Sequence, residues 1–321
     1  MSDRSLCVIG LGLIGGSLLR AADQAGWKVR GTAASKATVT AAREAGFDVT
    51  SSIEDVLTGD DALVVLAVPL PAVVDVLPLV HRHAPGCRLT DVVSVKRPVA
   101  AAVARLAPSA RYVGGHPMAG TSASGWAAGS ATLFAGASWL VSTDDGADPL
   151  VWAQVAQLAL DCGATVVPAG AEDHDAAVAR VSHLPHVLAA VLASVGADGG
   201  PLAMALAAGS FTDGTRVAGS RPELVRAMCE GNRDALLAAV DDALGRLGAA
   251  RGSLASTGGL AATIRAGHQA RQTFDATRAA ELGNTVHIDL TTPGALAQLR
   301  KIAHSGGRVT ALNGTHCQAT P

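Results

Sequence analysis

Charge of either sign is scarce in this chain. Lys plus Arg number 25 and Asp plus Glu 27 in 321 residues, giving a net charge of −2 and no basic run. That balance excludes a nucleic-acid surface. Aromatic residues are scarcer still, with four Phe, four Trp and one Tyr, too few for a base-stacking platform. Cysteine is limited to Cys7, Cys87, Cys162, Cys229 and Cys317, far apart and without a C-x-x-C pair. An odd, dispersed set excludes a disulfide framework and a zinc site and suits a reducing cytoplasm. No internal repeat, metal-ligand spacing or nucleophile–base motif occurs. The apolar stretch 62–80 is interrupted by Pro69, Pro71, Asp75 and Pro78, so a strand, a loop and a short helix are expected there, not a membrane span. Arg4 and the apolar run after it resemble a leader peptide superficially, but the glycines within that run have a spacing of their own. What remains is a chain 49 % hydrophobic, too long for one ordinary core and suited to two domains.

The first half alternates strands and helices. Ser5-Leu-Cys-Val-Ile9 is an apolar run leading into Gly10-Leu-Gly12-Leu13-Ile14-Gly15-Gly16-Ser17, followed by a helical run over 18–25 closed by Gly26. G-x-G-x-x-G between a strand and a helix is a dinucleotide-binding pattern. Its first Gly makes the tight turn, its second admits a pyrophosphate, and its third lets helix and strand pack closely. The next strand, 28–32, is followed by Ala33-Ala34-Ser35-Lys36, where an NAD-preferring fold usually carries an acid. Without that carboxylate a 2′-phosphate meets no repulsion. Ser35, Lys36 and Arg30 are then candidate phosphate partners, and NADP is favoured over NAD; the other reading makes Lys36 only the solvated start of a helix. Strands are expected over 61–68, 88–93, 139–142 and 164–167, with a helix over 149–160. Ligands bind at the carboxyl ends of such strands. Val68, Pro69, Ser94 and Lys96 therefore fall along one rim with His116, which sits in Gly114-Gly-His-Pro-Met-Ala-Gly-Thr121 just past a short strand. Ser94 has two compatible readings, helix N-cap and site residue. His116 is either a surface His in a glycine turn or a presented base with a pKa near ~6.5.

From residue 171 the pattern becomes helical. A long run to about 196 contains Ser182-His183-Leu-Pro185-His186, which puts Ser182 and His186 on one face. Pro185 is expected to kink or break the helix and free carbonyls beside them. Residues 202–208 read as a buried apolar stretch. Gly209-Ser-Phe-Thr-Asp213-Gly-Thr-Arg216 reads as a glycine-broken turn, with Arg216 either paired to Asp213 or free to clamp a carboxylate. Ser220-Arg-Pro222-Glu223 has the form of a capping box opening a helix to about 251. Its stripe of Leu224, Met228, Leu236, Val240, Leu244 and Leu247 is either core or a dimer face. A further helix is expected over 260–282, and 286–312 suggest a small βαβ-like appendage.

Five segments in order resemble the prephenate dehydrogenase family, which includes arogenate dehydrogenases: Gly-Leu-Gly-Leu-Ile-Gly-Gly-Ser, Asp-Val-Val-Ser-Val-Lys, Gly-Gly-His-Pro-Met-Ala-Gly-Thr, Ser-His-Leu-Pro-His and Phe-Thr-Asp-Gly-Thr-Arg. The resemblance covers residues 6 to about 251. It implies an α/β fold, with an N-terminal Rossmann-type dinucleotide-binding domain (1–170) followed by an all-α dimerisation domain (171–285); the short tail 286–321 lies outside the match. It implies a cytoplasmic homodimer that converts prephenate to 4-hydroxyphenylpyruvate by oxidative decarboxylation, with NADP or NAD as cofactor, in tyrosine biosynthesis. His116 would then be the catalytic base, with Ser94 at the same substrate hydroxyl. Arg216 would clamp the carboxylate, and Ser182, His186 and Thr121 would line the substrate pocket. Gly10, Gly12, Leu13, Ile14, Gly15, Ser35, Val68, Pro69 and Ser94 would hold the cofactor. One departure is Ser122, where many members carry Glu; it leaves prephenate and arogenate both open. Two other readings are a hydroxy-acid dehydrogenase, which lacks its usual lysine in the helical half before Lys301, and a non-catalytic NADP sensor.

Overall fold

The computed structural model describes residues 4–57, 62–121, 123–279 and 283–320. Its first layer is β1 (Ser5–Ile9), α1 (Leu13–Gln24), β2 (Lys28–Thr32), α2 (Lys36–Glu44), β3 (Asp48–Thr50), α3 (Ile53–Val56), β4 (Leu63–Leu66), α4 (Leu70–His83), β5 (Arg88–Asp91), α5 (Arg97–Leu106) and β6 (Arg111–Tyr112). The strands form a parallel sheet in the order β3-β2-β1-β4-β5-β6. β4 is buried along its whole length, which is why it is a continuous apolar run and not an alternating one. Strand order reverses between β1 and β4, and this switch point is where a doubly wound sheet opens a ligand crevice.

The chain then leaves this sheet for a second one within two glycines. β7 (Gly115–Pro117) pairs antiparallel with β8 (Ser138–Ser142). After α6 (Pro149–Asp161), β9 (Thr165–Ala169) joins β8 in parallel. Asp148 caps α6 by accepting from the N–H of Leu150 at 2.8 Å. A Cβ at Gly115 would lie 2.7 Å from the Asp91 carbonyl oxygen, so only glycine lets β7 pass so close to the end of β5.

The helical part comprises α7 (Ala171–Val178), a π-helical turn (Ala179–His183), α8 (Leu184–Asp198), α9 (Gly200–Leu206), α10 (Gly209–Thr215), α11 (Pro222–Gly231), α12 (Arg233–Thr257) and α13 (Ala261–Ala279). Several expectations are corrected here. Pro185 does not break the helix. The run Ala171–Asp198 is continuous, and the missing N–H is absorbed by the widened π turn just before it. The stretch 202–208 is not buried, since Leu202 and Leu206 are 72 % and 73 % exposed in a single copy. Gly209 onward is α10 followed by a 3₁₀ turn (Arg216–Gly219), not a glycine-broken loop. Ser220 makes no capping bond, because α11 starts at Pro222 with Arg221 at its N-cap. The helix expected to reach 251 is interrupted at Asn232. Gly231 sits so tightly on Leu70 that a Cβ would lie 2.4 Å from its methyl, and Asn232 takes φ −113°, ψ 33°. The expected end of the next helix at 280–282 lies outside the described residues.

The tail folds back. β10 (Val286–Asp289), α14 (Ala295–His304), β11 (Arg308–Asn313) and β12 (His316–Thr320) extend the second sheet to the order β10-β12-β11-β9-β8-β7. The added pairings are antiparallel, with Val309 opposite Val166. The unit is thus β-α-β-β and not βαβ-like, and its last strand gave no periodic signal. Leu299, Val309 and Cys317 are fully buried in the same core cluster as Leu6, Trp152 and Val166. Arg300 donates to the Thr143 carbonyl and pairs with Asp145.

Candidate active site

At the carboxyl end of β1, Gly10 has φ +102°, and a Cβ there would lie 2.6 Å from the Ala67 carbonyl oxygen. A Cβ at Gly15 would lie 1.9 Å from the Gly10 carbonyl oxygen. At Gly12, by contrast, a Cβ would meet nothing within 4 Å. Two glycines are therefore required by packing and one faces open space. Gly12 is also the N-cap of α1 and carries no capping side chain, so the first-turn N–H groups around Leu13, Ile14 and Gly15 point at that space without an acceptor. This is the cradle a pyrophosphate needs. Val68 and Pro69 follow β4 across the switch point, and Pro69 is the N-cap of α4. Ser35 caps α2, accepting from Thr38 N–H at 3.3 Å, beside exposed Lys36. Arg30 does not join them. It lines a separate cavity of about 270 Å³ with Val64, His83 and Cys87, at the amino ends of β4 and β5.

His116 is not displayed on a loop as its glycine-rich context suggests. It lies within β7 and is 9 % exposed. Its Nδ1 is 2.9 Å from His174 Nε2, and His174 Nδ1 is 2.8 Å from Asp175 Oδ1. The two Asp175 oxygens also accept from the backbone N–H groups of Lys96 (2.8 Å) and Arg97 (2.9 Å). Burial pushes the Asp175 carboxyl up, but His174 and these two N–H groups outweigh it and hold it below the usual carboxylate range. An ionised carboxylate only accepts, which fixes the whole chain. His174 donates from Nδ1 and accepts at Nε2, so His116 donates from Nδ1 and its Nε2 keeps a free lone pair. Burial, then His174, Lys96 and His183, depress His116 well below 6.5, so the ring is neutral at pH 7.

Lys96, expected along the rim, is turned inward and is 1 % exposed. Its Nζ pairs with Asp91 and donates to the Gly115 carbonyl, the peptide group just before His116. Tyr112 donates to the other Asp91 oxygen at 2.6 Å. The ion pair thus fixes β7 to the end of β5 and holds His116 in place. Ser94 lies half-buried in the β5–α5 loop two residues before Lys96.

From the helical side, Asn232 donates to the Asp175 carbonyl (2.7 Å) and to His183 Nδ1 (3.1 Å). His186 donates from Nδ1 to the Ser182 carbonyl at 2.8 Å. Arg216 is exposed at the start of a 3₁₀ turn packed on α8. It makes no ion pair with Asp213 or with any other described residue, and it stays outside the hydrogen-bonded cluster. Thr121 is exposed and accepts from Ala123 N–H at 3.2 Å; Ser122 lies outside the described residues. His174, Asp175 and Asn232 escaped the sequence reading. The one signal for His174 and Asp175 is Glu172-Asp-His-Asp175 at the start of the helical half, a pattern that equally suits an acidic first turn; Asn232 has none.

The arrangement offers a neutral imidazole with a fixed free nitrogen beside a dinucleotide cradle, which suits proton abstraction coupled to hydride transfer. Comparison with known proteins agrees. A family model described as prephenate dehydrogenase, nucleotide-binding domain, matches residues 18–168, and one described as the dimerisation domain matches 170–257. A crystal structure of a candidate prephenate dehydrogenase of Corynebacterium glutamicum is 44 % identical, with a TM-score of 0.90 over 96 % of this chain and 99 % of that one. The cyclohexadienyl dehydrogenase of Zymomonas mobilis is 33 % identical over 80 % of this chain and 90 % of its own. The prephenate dehydrogenase of Bacillus subtilis is 32 % identical over 74 % of this chain and 67 % of its own.

Proposed function

The chain belongs to the prephenate dehydrogenase family, an NAD(P)-dependent oxidoreductase group, and from that premise we propose that it converts prephenate to 4-hydroxyphenylpyruvate in tyrosine biosynthesis. The observation that carries the reading is the Asp175–His174–His116 chain, which leaves His116 Nε2 unprotonated. That nitrogen takes the proton of the substrate's ring hydroxyl as the ring becomes aromatic and CO₂ leaves the opposite carbon. Bound NAD(P)⁺ supplies the hydride acceptor. As His116 gains charge, His174 and the carboxylate of Asp175 stabilise it through hydrogen bonds already in place. Ser94 orients the same hydroxyl. Arg216, with no partner of its own, clamps a substrate carboxylate, and Ser182, His186 and Thr121 line the pocket.

Gly10, Gly12, Leu13, Ile14, Gly15, Val68, Pro69 and Ser94 hold the cofactor. The open face at Gly12 and the uncapped start of α1 fit its pyrophosphate. Ser35, with Lys36 and no acid after β2, favours NADP over NAD. Arogenate is the alternative substrate, and a non-catalytic NADP sensor is a third reading. The dimerisation-domain match together with the exposed apolar helices favours a homodimer; the balanced charge and the odd, dispersed cysteines favour a cytoplasmic protein without a nucleic-acid partner, and the interrupted stretch 62–80 is not read as a membrane anchor.

Initial rates with prephenate and arogenate, each with NAD and NADP, test the assignment; turnover with neither substrate leaves the sensor. His116→Asn is expected to lower kcat by about 10²–10⁴-fold while the Kd for reduced cofactor stays within about twofold. Near-normal turnover by this variant would remove His116 from the role of base.

A further inference from the structure

The unit formed by β10, α14, β11 and β12 lies beyond both matched stretches, the second of which ends at residue 257. It does more than extend a sheet. Arg300 and His304, on one face of α14, reach across to the helical part. Arg300 Nη2 donates to the Thr143 carbonyl and to Asp145 Oδ1, the latter at 2.9 Å. His304 donates from Nε2 to Asp173 Oδ2 at 3.0 Å, since an ionised carboxylate only accepts.

Both contacts bear on the first turn of α7. Thr143 follows β8 directly, is fully buried, and donates its N–H to the Ala169 carbonyl at 3.0 Å. The next residue, Asp144, accepts from the N–H of Ala171 at 2.9 Å, and Ala171 opens α7. Gly170 at the N-cap has no side chain to supply that acceptor, so the loop held by Arg300 supplies it. Asp173 lies in the same turn, one residue before His174. Beside the turn is a cavity of about 430 Å³ lined by Arg97, Tyr112, Ser142, Asp144, Ala171 and Glu172, among others. Side-chain packing does not fill that space, so hydrogen bonds carry the placement of the turn. This turn carries His174, whose Nε2 is 2.9 Å from His116 Nδ1. A bond of that length is lost with a displacement of about 1 Å.

We propose that Arg300 is a positioning residue for the His174–His116 contact. It holds the loop 143–145, that loop holds the start of α7, and the start of α7 sets where His174 meets His116. The tail thereby helps to keep the lone pair of His116 Nε2 free. Its effect on turnover rests on the function proposed above; its effect on the contact does not.

The test uses the full-length protein with ¹⁵N-labelled histidine. Nitrogen NMR of wild type is expected to show His116 and His174 each with its proton on Nδ1. Arg300→Met keeps the stem and removes the donors. It is expected to let the His116 proton exchange between both nitrogens and to lower kcat by about 10- to 100-fold. KM for prephenate and Kd for reduced cofactor are expected to stay within about threefold, because the change touches neither ligand. Asp144→Ala removes the next link and is expected to have the same two effects. The double variant is expected to stay within about threefold of the more impaired single variant, because both changes break one path.

The proposal is overturned by a folded Arg300→Met with kcat within about threefold of wild type, by a His116 signal that neither variant changes, by a loss that falls on KM or cofactor affinity instead of kcat, or by single losses that multiply in the double variant. If Arg300→Met does not fold, Asp144→Ala alone decides by the same rate and the same signal. Should wild type turn over neither prephenate nor arogenate, the function is wrong while the nitrogen signals still decide the role of Arg300.

Discussion

At the scale of single residues, the chemistry depends on which atoms carry protons, and buried acceptors set those positions. Asp175 accepts from three donors, namely Lys96 N–H, Arg97 N–H and His174 Nδ1. Asp175→Asn replaces one acceptor oxygen with a donor, so one of the three meets an N–H. The expected outcome is a kcat lower by about 10- to 100-fold and a stability loss of about 1–3 kcal/mol, read from initial rates and a denaturant midpoint. Three histidines also give the fold a pH dependence of definite sign. His116, His174 and His183 all titrate below 6.5 in the folded chain. The unfolded chain therefore binds more protons in acid, and their contribution is complete above about pH 6.5 and lost as pH falls through the folded values. For His183, at about 4, the term is on the order of 3 kcal/mol. The midpoint temperature should be level near pH 7 and fall between pH 6.5 and 4; a rise over that window would contradict the arrangement. His116 was legible in the sequence because glycine and proline isolate it. His174 was not, because its meaning lies in a contact 58 residues away, which no local pattern encodes.

Whole elements show the same limit. Strands β1 and β4 are written locally, as apolar runs, and they form where the pattern puts them, whereas α1 starts at Leu13, inside the glycine segment and ahead of the run expected over 18–25. The π turn is different. Ser182, Pro185 and His186 announced an irregular helix, yet only the packing of α7 against α12 and α5 goes with the form it takes, a widened turn within a continuous run. The turn holds one residue more than a regular helix needs, and Val181 within it is exposed. The break at Asn232 was equally hidden. The apolar stripe only skips one position there, from Met228 to Leu236, which by itself does not end a helix, and the cause is the close seat of Gly231 on Leu70.

Across the whole molecule, apolar side chains that a single copy leaves uncovered gather in the helical part: Leu188, Val191, Val195, Leu202, Leu206, Leu244, Leu247 and Leu254. The run Ala171–Asp198 is even long and apolar enough by composition to span a bilayer. These residues fall within the stretch that matches the dimerisation-domain model. Light scattering should therefore give twice the 32.1 kDa chain mass, and Leu202→Glu with Leu206→Glu should shift the protein towards monomer or aggregate; an unchanged dimer would place the interface elsewhere. The sequence told that these residues were apolar but not what covers them, since an uncovered face and a core face have the same periodicity.

The second sheet has a temporal consequence. Its strands come from both sides of the helical stretch, and β11 pairs with β9 only after residues 171–307 have been made. At about 5–20 residues per second, the β9 edge stands open on the nascent chain for on the order of ten seconds. A bare edge of this kind recruits stray strands. The ribosome therefore releases the parallel sheet with its glycine turn after β1 early and the sheet that carries His116 last.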